Sequence, residues 1–230
     1  MKHDRLIQYL RQLGGIFLSL VVLCVFFSLA NNRFMSVANF MNILQQVSVV
    51  AIVAFGMTWV ILLGEIDLSI SSIIAVTGMV GAQVLALDYG FIPALLITLF
   101  AGALLGFING ALTAKLALPS FIVTVATMGI YRGMVSLPTN GAPQMITNDN
   151  WTAIGNETWL GIPVVIWILF ALFLINHIVL ARTVFGRRAY LTGGNIEAAQ
   201  YSGIQTVKVK IWIFTLSGMM AAVSGSLLSC

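Results

Sequence analysis

From residue 13 onward the chain is a succession of apolar stretches, each about as long as a bilayer is thick, with most of the charge set between them. A helix needs ~20 apolar residues to cross the hydrocarbon core. Seven stretches approach or exceed that length: 13–30, 42–63, 68–87, 91–114, 120–137, 162–181 and 211–230. None alternates with period two, which argues against a transmembrane barrel. Of the 230 residues, 60% are hydrophobic and 8% charged, where a soluble domain carries roughly 25% charged residues. With a mean hydropathy of +1.02, most of the surface must face lipid. The expected fold is therefore all-α, a polytopic transmembrane helix bundle of about seven spans. The first stretch follows Lys2, Arg5 and Arg11. It is longer than the apolar region of a cleaved signal peptide and lacks a small-residue cleavage site, so it reads as a retained span.

Several function classes are disfavoured at this stage. Cys24 and Cys230 offer no disulfide framework, and His3 and His177 are too sparse for a metal cluster. The pI of 9.3 does not imply nucleic acid, because the eleven basic residues sit at segment ends and form no stripe. They fit membrane topology instead. With the N-terminus inside, Lys2, Arg5, Arg11, Lys115, Arg182, Arg187, Arg188, Lys208 and Lys210 fall on the inner side, nine of eleven. Arg33 lies in the first outer loop and Arg132 within the fifth span. The positive-inside rule thus predicts a cytoplasmic N-terminus and an inner-membrane location.

The outer segment 138–161 lacks Lys and Arg and contains Asn140, Gly141, Pro143 and Asn148, which favour a loop. Trp151 and Trp159 suit interfacial positions. Within the spans, Gly102, Gly106 and Gly110, followed by Ala114, recur every fourth residue and make one smooth helix face for close packing. Ser217, Gly218, Ala221, Ala222 and Gly225 form a looser set in the last span. Gly64-Glu65-Ile66-Asp67-Leu68-Ser69 interrupts a long apolar stretch. Ionised groups are expensive in a bilayer, ~3 kcal/mol or more each at the centre. The segment is either a tight inner turn, with Asp67 free to cap the next helix, or a broken helix lining a cavity. Candidate path residues are Asp67, Ser69, Asn109, Thr124, Thr127 and Arg132. For Arg132 the alternatives are snorkelling to an interface and a polar contact with Thr124 or Thr127. For Asn109 they are interhelical hydrogen bonding and substrate contact.

The longest inner segment, 182–210, is rich in glycine and charge. Within it, Glu197-Ala198-Ala199 and Gly203 are spaced for a short helix ended by glycine, with Asn195 as N-cap. Glu197 in the first turn complements the helix dipole. A partner gripping such a helix would move the spans on both sides of it.

This segment resembles the cytoplasmic coupling segment of ABC importer permeases, without the later Leu-Pro of the wider consensus. Three blocks resemble the ribose/xylose/galactoside permease family. The first is Asn42-Ile43-Leu44-Gln45-Gln46, then Gly56-Met57-Thr58-Trp59-Val60-Ile61 and Ile66-Asp67-Leu68-Ser69. The second is Asn109-Gly110, Ala114-Lys115, Phe121-Ile122, Thr127-Met128 and Arg132-Gly133, with Thr139-Asn140-Gly141 similar to ribose-type members. The third is Gly186-Arg187, Gly193-Gly194-Asn195, Glu197-Ala198-Ala199, Ser202-Gly203-Ile204 and Val209-Lys210-Ile211. The resemblance implies coupling to an ATPase through Gly193, Gly194, Asn195, Glu197, Ala198, Ala199, Ser202 and Gly203. It also implies a periplasmic sugar-binding protein, a second permease copy, and monosaccharide transport with no covalent chemistry. ATP and Mg would serve the partner ATPase, and this chain would bind no cofactor. It has no Gly-x-x-x-x-Gly-Lys-Ser/Thr phosphate loop. Family members continue roughly a hundred residues further, so a C-terminally truncated permease domain is expected.

The rivals are an ion-coupled secondary transporter, for which Glu65 and Asp67 could serve but no inverted repeat is visible, a membrane-embedded enzyme, for which no clustered catalytic residues are visible, and an accessory membrane protein. The orientation has a direct test. Cysteines placed within 182–210 should react with membrane-impermeant thiol reagents only after spheroplasts are permeabilised; labelling of intact spheroplasts would reverse the assignment.

Overall fold

In a computed structural model, residues 2–139, 146 and 148–230 are described, with side chains at 14–137, 146 and 148–230. The helices are α1 (Lys2–Ala30), α2 (Val37–Leu62), α3 (Ile70–Ala86), α4 (Phe91–Lys115), α5 (Ser120–Thr139), α6 (Asp149–Asn156), α7 (Val164–Arg182), α8 (Val184–Gly194), α9 (Ile196–Tyr201) and α10 (Thr206–Leu228). Between α6 and α7, β1 (Thr158–Trp159) and β2 (Ile162–Pro163) form an antiparallel pair with Thr158 opposite Pro163. Leu160 and Gly161, at φ 56° and 77°, make the turn, whose two positive φ values match hairpin twist. Asn140, Gly141 and Pro143 lie outside the described residues.

Five helices, α2, α4, α5, α7 and α10, are long and apolar enough to cross a membrane among the described residues, and 14–30 and 70–86 form shorter apolar helices. The seven expected stretches thus all carry helices. At 1.5 Å per residue, α3 alone, with 17 residues, covers about 25 Å, and the irregular segment preceding it accounts for the shortfall.

The chain divides into two compact units, the first ending at Leu44 and the second running Gln45–Cys230. In the first, Ser36 caps α2 by accepting from the Asn39 amide at 3.2 Å. Side chains along α1, such as Phe17, Leu20 and Phe26, are exposed, as lipid-facing groups should be.

In the second unit α10 occupies the centre: Ile213, Phe214, Ser217, Ala221, Ala222 and Ser224 are all fully buried. The glycine faces explain how. A Cβ at Gly102 would lie 2.5 Å from the Gly218 carbonyl oxygen, and one at Gly106 would lie 2.2 Å from that of Phe214. The two backbones therefore touch, as the small-residue spacing predicts. Gly56 of α2 meets Ser217, and Gly225 meets Ile74 and Thr77 of α3. On the outside, Ile92, Leu96 and Phe100 of α4 and Phe170, Phe173 and Ile178 of α7 are exposed, so the apolar surplus points outward into lipid.

Trp151, expected at an interface, is fully buried within the protein. Asn148 caps α6 by accepting from the Trp151 amide. The indole packs edge-on against Phe91 at 5.9 Å and donates to Ser229 Oγ at 3.1 Å. A tryptophan with one polar atom can be buried once that atom is paired. Trp159, 61% exposed, sits edge-on to Trp167 and keeps an interfacial character.

Gly106→Val should lower stability by about 2–3 kcal/mol or more, because overpacked helices must separate. Gly129→Ala, with open space around its Cβ position, should be near neutral. Thermal unfolding in detergent, followed by loss of the monodisperse peak, separates the two.

Candidate functional site

Of the two structures expected from sequence, the Glu65–Ser69 segment takes the form of a helix break, with its amides bonded to a neighbouring helix. α2 stops because Gly64 takes φ +74°. The Glu65 amide donates to Val60 O and the Gly64 amide to Ile61 O, which is a Schellman closure. The chain then runs without regular structure to α3. An irregular backbone in an apolar solvent needs partners for its amides, and α5 supplies them. Ile66 N–H donates to Ser120 Oγ at 3.0 Å and Leu68 N–H to Thr124 Oγ1 at 3.1 Å. Thr124 in turn donates to the Ser120 carbonyl at 2.8 Å.

Asp67 is 2% exposed. Its Oδ1 accepts from Ser69 N–H at 2.9 Å and Ser69 Oγ–H at 2.6 Å. Asp67 is therefore not the helix N-cap; Ser69 holds that position, and the carboxylate folds over it. Asn109 Nδ2 donates to Ser69 Oγ at 2.7 Å, and Tyr131 Oη lies 3.1 Å from Asn109 Oδ1 and from Leu105 O. Asp67 Oδ2 has no hydrogen-bond partner among the described residues. Nor do the charges escape to water as the turn reading requires, since Glu65 pairs with Lys210 of α10. Of the expected path residues, Asp67, Ser69, Asn109 and Thr124 converge here, and Thr127 is buried one turn further along, bonded to the Thr124 carbonyl.

Arg132 does not join them. The buried positions of α5 are Ser120, Val123, Thr124, Thr127 and Tyr131, a helical stripe. Arg132 lies on the opposite, exposed side with Val125, Gly129 and Ser136. It makes no contact with Thr124 or Thr127, because those residues face the break.

The second constellation is the segment between α7 and α10, in which α8 was missed at the sequence level. Thr183 caps α8 by accepting from Gly186 N–H at 3.2 Å. Gly186 sits at a corner where a Cβ would lie 2.1 Å from Leu180 O. The Thr-x-x-Gly spacing was available as a signal, hidden by the charges around it. Asn195 caps α9 as expected, accepting from Ala198 N–H at 2.9 Å. Gly203, at φ +78°, closes α9 with a second Schellman pair, Gly203 N–H to Gln200 O and Ile204 N–H to Ala199 O.

The expected coupling residues divide by position. Gly193 is a packing residue: a Cβ there would lie 1.8 Å from Leu62 O, so the end of α8 rests on the end of α2. Ala199 is buried. Gly194, Asn195, Glu197, Ala198, Ser202 and Gly203 face out. Tyr201, not anticipated, is 92% exposed beside them. Beneath, Trp59, Val60, Leu63, Ala189, Val209, Ile213 and Phe214 form one buried cluster. Trp59 Nε1 donates to Asn176 Oδ1 at 2.9 Å, joining α2 to α7. No grouping of His, Cys, Asp and Glu suited to a metal occurs among the described residues.

The fold is thus a lipid-facing helical bundle with a polar helix break bonded sideways to a neighbouring span. Residues 39–230 match the family described as branched-chain amino acid transport system / permease component, and the chain belongs to that family. It is 40% identical to the ribose import permease protein of Haemophilus influenzae over 215 residues, 91% of this chain and 66% of the relative. It is 38% identical to the ribose import permease protein of Bacillus subtilis, over 94% of this chain and 67% of the relative. It is 32% identical to an L-arabinose ABC transporter permease protein of Azospirillum brasilense, over 94% of this chain and 64% of the relative. The chain spans about two thirds of the length of these curated relatives. No solved structure gives a significant match. The family and the apolar helices make this a multi-pass protein of the bacterial inner membrane.

Reversing one charge of the Glu65–Lys210 pair, which is only 14% and 18% exposed, should cost about 1–3 kcal/mol, between surface and buried pairs. The swap Glu65→Lys with Lys210→Glu should recover most of it. Melting temperatures of both singles and the double, in one detergent, give the coupling; no recovery would show that the pair holds nothing together.

Proposed function

We propose that this chain is the transmembrane permease subunit of an ATP-driven importer that carries a monosaccharide such as ribose across the inner membrane by alternating access. Support comes from the relatives named as ribose and arabinose permeases and from the mechanical continuity between α9 and the helix break. In this reading the N-terminus and the segment 182–210 face the cytosol. A separate ABC ATPase, using ATP and Mg, docks on α9 through Glu197, Ala198, Ser202 and the exposed Tyr201, while the chain itself binds no cofactor. A periplasmic sugar-binding protein delivers substrate to the opposite face.

Force applied at α9 has a defined route. α8 bears on Leu62 through Gly193. The end of α2 continues into the break, which is tied to α10 by Glu65–Lys210 and to α5 by Ser120 and Thr124. Closure of the ATPases would therefore shift α5 together with the break. The exposed face of α5 supports its role as path lining. A lone arginine facing lipid costs ~3 kcal/mol or more at the bilayer centre, whereas Arg132 beside a hydrated path, shared with a second copy of the chain, keeps its solvation. Neutral sugar hydroxyls need donors of that kind and few charges.

Glu197→Arg removes a favourable helix-dipole contact and reverses the charge offered to the ATPase, and should lower ATP-dependent sugar uptake about tenfold, equivalent to ~1.4 kcal/mol. Gly203→Ala strains α9 by about 1–2 kcal/mol and should lower uptake less. Uptake by vesicles containing the complete importer, scored against membrane abundance of the chain, is the measurement. Normal uptake in both variants would refute coupling through α9.

A further inference from the structure

A cavity of about 380 Å³ lies between α8 and the first turns of α10, lined by Arg188, Gln205, Lys208, Phe185 and Trp212 among others. Arg188 and Lys208 are both exposed at its rim. Neither side chain has an ion pair or hydrogen bond among the described residues. Their neighbour Lys210, by contrast, is neutralised by Glu65. Two uncompensated positive charges and a side-chain amide thus converge on one hollow.

The opposite wall is apolar. Lys208 and Trp212 lie four residues apart on α10, hence on one helix face, and Trp212 is 62% exposed. An ammonium, then an exposed indole one turn deeper into a spanning helix, is the profile of a membrane–water interface. Inorganic phosphate or an acidic side chain would match the charges and leave the aromatic wall unused. A phosphodiester joined to acyl chains uses both. The volume also suffices: at ≈ 30 Å³ for each water-sized group it holds about twelve, against on the order of ten non-hydrogen atoms in a phosphoglycerol headgroup.

The geometry points to a binding site for an anionic glycerophospholipid, its phosphate between Arg188 and Lys208 and its glycerol and upper acyl chain against Trp212 and Phe185. The cavity shares Gly203 with the end of α9, but the site requires a bilayer and not a motor, so lipid binding can be read without the ATPase.

The test is native mass spectrometry of the full chain released from detergent with short-chain phosphatidylglycerol or phosphatidylcholine. Phosphatidylglycerol should be retained in preference. Arg188→Gln with Lys208→Gln should weaken that retention about twenty-fivefold, about fivefold for each charge, with the melting temperature unchanged. Trp212→Ala should weaken it further, and Lys115→Gln, an exposed basic residue outside the cavity, should leave it intact. Equal retention of both lipids, or an equal loss in Lys115→Gln, would leave only diffuse charge attraction and overturn the site. Full competition by soluble glycerol phosphate would show an anion site without lipid. Retention undiminished in the double variant, with loss of ATPase binding instead, would assign the cavity to a protein partner.

Discussion

The contact between α4 and α10 governs the architecture, because it brings two backbones together where lipid offers no hydrophobic drive for association. Helices in a bilayer gain by close packing and lose little by leaving apolar side chains outside. Gly102, Gly106 and Gly110 on one helix and Gly218 on the other remove the side chains that would hold them apart. Once joined, α10 also serves α3 through Gly225 and α2 through Ser217. A helix buried on several sides in this way cannot shift independently of its neighbours, so it supplies the frame on which other elements move.

Two glycine-closed helix ends are set against that frame. Gly64 ends α2 and Gly203 ends α9, each by the same pair of backbone bonds. Both closures turn the chain sharply while leaving few carbonyls unpaired. The segments that follow find different partners. Beyond Gly203 the chain enters α10 within three residues, and Gln200 of α9 donates to Thr206 Oγ1. Beyond Gly64 it runs irregularly for five residues, and side chains of α5 meet the amides of Ile66 and Leu68.

Helix positions and the glycine interface were legible from sequence because they rest on local rules, length of apolar run and spacing of small residues. The caps of α9 at Asn195 and Gly203 were legible for the same reason. What escaped was long-range. Nothing near Asp67 in sequence announces that Thr124 of α5 will meet the Leu68 amide, or Asn109 of α4 the Ser69 hydroxyl, on either side of it. Two carboxylates two residues apart read as one unit, in a turn or in a broken helix, yet Glu65 finds Lys210 while Asp67 is sealed in the bundle. The burial of Trp151 was not legible either, since its indole is paired by Ser229, 78 residues later. Arg132 was placed correctly in α5, but its side of the helix was not legible; Ser120, Thr124, Thr127 and Tyr131 hold the inward stripe, and Arg132 is exposed.

The bonds of the break limit how α5 can move. Separating α5 from the segment would strand the Ile66 and Leu68 amides, at about 1–3 kcal/mol each if no new partner arrived. Asp67 Oδ2 is a buried carboxylate oxygen without a partner among the described residues, and it is the buried acceptor beside the break to which a freed amide could turn. The other unpaired buried oxygens, on Thr98, Thr113 and Ser217, belong to α4 and α10, the fixed frame. Motion that keeps the amides bonded must therefore carry the break and the first turn of α5 as one body. Motion that parts them must turn the freed amides to Asp67 Oδ2 or admit water to the Asp67 pocket. Asn109 of α4 bonds to both Ser69 and Tyr131, so the same cluster ties the break and α5 to the α4–α10 frame, and any displacement of α5 relative to that frame must break these bonds as well.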